Sequence, residues 1–74
     1  MSRRKPESTD LGTTMRQLRE DAGMTPAGVA ARLRVEPNTV RGWEAGRRCP
    51  AVPDLDRYLR AVGATLTLGL ERAA

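Results

Sequence analysis

Apolar positions recur at helical spacing in four stretches of this chain and alternate in a fifth. Leu11, Met15, Leu18 and Ala22 fall at i, i+4, i+7 and i+11, so they share one face of a helix that Asp10 caps and Gly23 ends. Thr25 followed by Pro26 is a second start signal, since a hydroxyl takes an orphan amide and proline at the first helical position gives up no needed donor. Val29, Ala30 and Leu33 then form an apolar face. Glu36-Pro37 starts again, because proline keeps the preceding residue out of α geometry. The spacing predicts a helix over Pro37 to Ala45 with Val40 and Trp43 inward, Glu44 beside them, Asn38, Thr39, Arg41 and Gly42 outward, and Gly46 as a left-handed terminator. Leu55, Tyr58, Leu59 and Val62 follow i, i+3, i+4, i+7 and predict a fourth helix over Asp54 to Val62. Asp54 suits the positive end of that helix dipole, and Asp56, Arg57 and Arg60 are expected to face water.

The fifth stretch, Ala64 to Leu70, alternates, with Leu66, Leu68 and Leu70 on one side and Thr65, Thr67 and Gly69 on the other, which argues for a strand. A single strand has no partner within the chain for its amides. Pairing with the same strand of a second copy across a two-fold axis satisfies them and lays the leucines on both cores. A frayed or helical tail is the alternative. The fold class expected is therefore all-α: a compact four-helix domain over 10–63, with a C-terminal β-strand at 64–71 that pairs across a homodimer. A flexible basic arm at 1–9 precedes the domain and a short tail at 72–74 follows it.

Seventy-four residues make one small core, burying about 60% of the unfolded surface, which makes oligomerisation a natural addition. Thirteen Lys and Arg against nine Asp and Glu leave a formal charge of +4, which favours a polyanionic partner. The arm carries Arg3, Arg4 and Lys5, and either follows phosphates or a minor groove or is a solvated tail. No stretch approaches the roughly 18 apolar residues of a membrane span, and no apolar segment follows the basic start, so a cytoplasmic protein without membrane contact is expected. One cysteine, Cys49, excludes an internal disulfide, and no histidine is present to help build a zinc site. Cys49 reads as a loop filler or as a redox-sensitive thiol beside two arginines. Without a nucleophile beside a base, a glycine-rich phosphate loop or a carboxylate cleft, neither enzyme chemistry nor a cofactor or metal is expected.

Met15-Arg16-Gln17-Leu18-Arg19 through Gly23-Met24-Thr25, and then Val29 to Pro50, resemble the helix-turn-helix of the Cro/repressor (XRE) family, whose patterns read LRxLRxxxGL[ST] and VAxxLxVxxxTVxxWExGxRxP. The resemblance covers about Asp10 to Gly63 and implies a lambda repressor-like fold. It also implies an ion pair between Arg19 and Glu44 that clamps the first helix to the third. Arg34 stands where the family usually has glycine in the turn, and Pro37 and Gly42 stand where related repressors often carry glutamines. The alternating ending resembles that of HipB-type antitoxins, which dimerise through a C-terminal strand.

Double-stranded DNA is the partner this combination points to, since a major groove admits one helix and short polar side chains on it reach base edges. Asn38 suits adenine, Thr39 a thymine methyl or a phosphate, and Arg41 guanine or a phosphate. Gly42 shares that reading face without a side-chain donor. The amide end of the second helix at Thr25 and Pro26, with Arg16, Arg32, Arg47 and Arg48, is expected at phosphates. Glu36 is expected to cap the third helix rather than accept from cytosine, and Trp43 to lie in the core. The function expected is a homodimeric repressor on an inverted-repeat operator, either an antitoxin with a cognate toxin as its protein partner or a phage or mobile-element regulator. A protein-interaction module and a non-specific nucleoid-type binder are the readings from other classes. The chain leaves no length for a ligand-sensing domain, so regulation is expected from a partner, degradation or dosage.

Overall fold

Helix starts and stops in this chain are set by short-range backbone chemistry. The computed structural model describes residues 10–66, and within them the helices are α1 (Leu11–Asp21), α2 (Pro26–Leu33), α3 (Pro37–Ala45) and α4 (Val52–Ala61). Asp10 caps α1 by accepting from the Thr13 amide at 3.4 Å and the Thr13 hydroxyl at 2.9 Å, and these bonds hold its carboxyl below the usual range. Thr25 caps α2 through the Gly28 amide, 3.0 Å away. These two caps are in place as expected.

All four helices stop in the same way. The first residue past the left-handed one donates its amide to the carbonyl five positions back, and the left-handed residue itself donates to the carbonyl three positions back. Met24 N–H donates to the Arg19 carbonyl, Val35 to Ala30, Arg47 to Gly42 and Ala64 to Leu59. This closure needs a left-handed residue, which Gly23, Gly46 and Gly63 supply at φ between 71 and 82°. Between α2 and α3 the left-handed residue is Arg34, φ 61° and ψ 43°. Left-handed backbone costs a side-chain-bearing residue about 1 to 2 kcal/mol, whereas glycine there costs about 0.4 to 1 kcal/mol in unfolded-chain entropy. Arg34→Gly is therefore expected to stabilise the domain by about 0.5 to 1 kcal/mol, read as a melting temperature raised by about 2 to 8 °C. A lowered melting temperature would show that the arginine side chain outweighs the strain.

The core is Met15, Val29, Ala30, Leu33, Val40, Trp43, Tyr58, Leu59 and Val62. α3 packs on α1 and α2, and α4 on α2. Full burial of each large apolar side chain contributes about 1.5 to 3 kcal/mol. Trp43 meets the Tyr58 ring edge to face, centroids 6.4 Å apart, a favoured aromatic geometry.

Two helices differ from expectation. The buried face of α1 is Gly12, Met15 and Arg19, while Leu11 is 40% exposed and Ala22 is exposed. The cause is Gly12: a Cβ there would lie 2.7 Å from the Trp43 carbonyl oxygen and closer still to that of Glu44, so its bare backbone turns that side of α1 onto α3. The fourth helix opens at Val52, with Pro53 and Asp54 in its first turn. Proline is accommodated there because first-turn amides have no helical acceptor.

Residues 64–66 carry no regular secondary structure; Ala64 and Leu66 are partly buried against the core, and Thr65 is exposed. The expected strand positions Thr67, Leu68 and Leu70, like the arm and tail, lie outside the described residues. Among the described residues no helix is long and apolar enough to cross a membrane.

Candidate nucleic-acid interface

α3 is held by its buried side and offers its other side to solvent. Val40 and Trp43 are in the core, and Glu44 is fixed by a bidentate pair with Arg19: Nε to Oε2 at 2.8 Å and Nη2 to Oε1 at 3.0 Å. Both side chains are under a tenth exposed. The third guanidinium nitrogen donates to the Met24 carbonyl at 2.9 Å, so one arginine ties α1, the turn before α2 and α3 together. The Tyr58 hydroxyl donates to Glu44 Oε2 at 2.6 Å and lies 2.9 Å from the Met15 carbonyl, which adds α4 to the same knot.

Burial opposes the charge on Glu44, yet the bonds from Arg19 and Tyr58 outweigh it and hold the carboxyl below its ordinary value. Burial, and then the Glu44 carboxylate, push the Tyr58 hydroxyl up. The Glu44 carboxylate keeps the Arg19 guanidinium charged against its own desolvation.

On the outer side of α3, Asn38 and Arg41 are exposed and Thr39 is half-buried. Arg41 donates from Nη1 to Asn38 Oδ1 at 3.1 Å. That bond uses one of the two acceptor sites of the Asn38 carbonyl and leaves the other, with the NH2 group, to meet a base edge. Arg41 also lines an open groove with Arg16, Glu20, Pro26 and Ala45, floored by the Arg19–Glu44 pair. The structure thus brings together Arg41, Arg16 and the start of α2. Arg16 bonds Glu20 across one helical turn at 3.1 Å and remains exposed. Thr25 is exposed at the cap of α2.

Arg47 and Arg48 line a second groove with Cys49, Asp10, Leu11 and Trp43, distinct from the one that Arg16 and Arg41 line. Arg32 is exposed in the last turn of α2 and lines neither groove. Cys49 is exposed. Among the described residues no cluster of His, Cys, Asp or Glu is placed to hold a metal ion.

Two expectations are corrected. Glu36 makes no side-chain bond at the start of α3; the Thr39 amide that its carboxylate would have met donates instead to the Glu36 backbone carbonyl at 2.9 Å. Gly42 lies on the outer side of α3, one turn from Asn38, but is buried instead of open, because the Arg48 stem lies over it, with Cδ and Cγ 3.1 and 3.2 Å from where a Cβ would stand. Arg57 is exposed as expected, and it also donates to the Leu33 carbonyl at the end of α2.

Sequence reasoning missed Tyr58 as a partner of Glu44, since its apolar spacing accounts for its burial and says nothing about its hydroxyl. It also missed Gly12 as a contact. A glycine inside a helical pattern was the available signal for a close approach.

Residues 10–73 match the family model described as a helix-turn-helix domain. No curated protein matches the chain. Two solved structures are similar to it, both of the clp gene regulator ClgR from Corynebacterium glutamicum. One is 32% identical with a TM-score of 0.74, covering 76% of this chain and 60% of that one. The other is 30% identical with a TM-score of 0.75, covering 85% of each. This chain thus spans less than two thirds of the length of the first.

Proposed function

This chain belongs to the helix-turn-helix domain family, and we propose that it is a sequence-specific DNA-binding transcriptional regulator whose α3 enters the major groove. The observation that carries the reading is the exposed Asn38–Arg41 pair on a helix whose other side is locked into the core. Likeness to a solved gene regulator supports it. In this reading Asn38 and Arg41 meet base edges, with adenine and guanine as the matching geometries, and Thr39 packs on a thymine methyl or bonds a phosphate. Arg16, the start of α2 at Thr25 and Pro26, Arg32 and Arg47 meet the flanking phosphates and set orientation.

Asn38→Ala and Arg41→Ala are each expected to weaken binding to the preferred duplex about 5- to 150-fold, with preference lost at one base position. Arg16→Ala is expected to weaken binding to every duplex alike and to lower the salt slope by about one. Gel-shift or anisotropy titrations read both. Unchanged binding in the Asn38 and Arg41 variants would remove α3 from the interface.

We further propose that the protein is a homodimeric repressor on an inverted repeat, with half-site centres about 34 Å apart, of the antitoxin or mobile-element type. The alternating sequence at 64–70 supports a ribbon shared between two copies, with Thr65, Leu66, Thr67, Leu68 and Leu70 in it. Truncation after Gly63 is expected to convert a dimer to a monomer in sedimentation. A truncated chain that stays dimeric would place the interface on the helices.

A further inference from the structure

Residue 42 shares a face of α3 with Asn38 and Ala45, at i+4 and i+7 from Asn38, yet it is a glycine and contributes no side chain there. The space is not empty. The Gly42 carbonyl accepts from both the Arg47 and Arg48 amides, at 3.0 and 3.1 Å, which brings the backbone of Arg48 back onto α3. From that anchor the Arg48 stem crosses the helix over Gly42, with Cδ 3.1 Å, Cγ 3.2 Å and Nε 3.6 Å from the position a Cβ would take. Gly42 is buried as a result, while Arg48 itself is exposed. Among the described residues no carboxylate pairs with Arg48, unlike Arg16, Arg19, Arg57 and Arg60.

We propose that Arg48, seated on Gly42, is a specificity-determining residue: its guanidinium leaves the surface of α3 at Gly42, on the face that carries Asn38, and reads guanine O6 and N7 in the major groove. The loop then supplies the side chain that position 42 lacks. Glycine is the residue that admits it, since a Cβ would stand tighter against the stem than ordinary van der Waals contact. A planar fork matches the two guanine acceptors, which a point-charge ammonium does not reproduce. Anchoring of the Arg48 amide and contact of its stem with the helix leave fewer rotamers to be lost on binding, which suits a base contact more than a mobile phosphate contact. This inference rests on the reading of α3 as a major-groove helix.

The test selects bound sequences from a random duplex pool with wild type, Arg48→Lys and Gly42→Ala, and then titrates the winners against salt. Arg48→Lys keeps the charge. The expected result is loss of a guanine preference at one position of each half-site, with affinity for the wild-type duplex about 5- to 150-fold weaker and an unchanged salt slope. Gly42→Ala lies in a helix interior, where alanine is the better helix former, so its fold is retained. It is expected to relax the same base position by displacing the stem. If wild type enriches a sequence but Arg48→Lys retains every preference and most of the affinity, Arg48 is a phosphate contact and the inference is overturned while the role of α3 stands. Base preferences unchanged in Gly42→Ala would overturn the seat on α3. Failure of wild type to enrich any sequence would overturn both readings.

Discussion

Glu44→Ala is expected to cost about 3 to 5 kcal/mol, because it leaves the Arg19 guanidinium charged, under a tenth exposed and without its anion. A domain of 74 residues has about 4 to 11 kcal/mol of stability in all, so much of the variant is expected to be unfolded at 37 °C. The loss belongs to the stranded charge rather than to any large net gain from the pair. Replacing both partners with apolar residues, Arg19→Met with Glu44→Leu, is accordingly expected to recover most of it. Chemical denaturation of the two variants gives the comparison directly. A double variant as unstable as Glu44→Ala would show that shape at this junction matters more than charge.

The same group sets a pH dependence. The folded protein holds the Glu44 carboxyl below its ordinary 4.5, so the unfolded chain takes up its proton first as the pH falls. Its contribution is complete above about pH 5 and is lost as the pH drops through the lower folded value. The stability difference between wild type and Glu44→Gln is therefore expected to be largest near neutrality and to shrink below pH 4.5. A difference independent of pH would mean that the carboxylate form is not the one the fold selects.

Gly12→Ala is expected to lower stability by about 2 kcal/mol, although alanine in an open helix would raise it by about 1 kcal/mol. The added methyl meets the carbonyl oxygens of Trp43 and Glu44, and backbone in the last turn of α3 cannot swing aside as a side chain can. Overpacking of this kind costs about 1 to 3 kcal/mol and occasionally more. α1 and α3 must part, which also strains the bidentate bond from Arg19 to Glu44. The denaturant midpoint is expected to fall with the m-value unchanged. A midpoint equal to that of wild type would show that the two helices have room to separate.

The limits of α2 and α3 were legible because proline and a capping residue mark a helix start within two positions, and Gly46 marks a stop. The start of α4 was not, since Ala51 has no side chain to act as a cap and Pro53 reads equally well as loop or first turn. Apolar spacing misplaced the buried face of α1 because volume, not hydrophobicity, decides how closely two helices approach, and Gly12 carries no apolar signal. The Arg19–Glu44 pair came from family resemblance; 25 residues of separation hide it from any local pattern. The outward positions Asn38 and Arg41 followed from helical periodicity, whereas the placement of Arg48 over Gly42 depends on a loop path that no periodicity describes.

The central claim is that α3 reads DNA sequence, and selection of duplexes from a random pool at physiological salt tests it most directly, followed by titration of the winner against scrambled DNA. An inverted repeat preferred by at least about a thousandfold is the predicted result. Weak, salt-steep binding to every duplex alike, with nothing enriched, would contradict it.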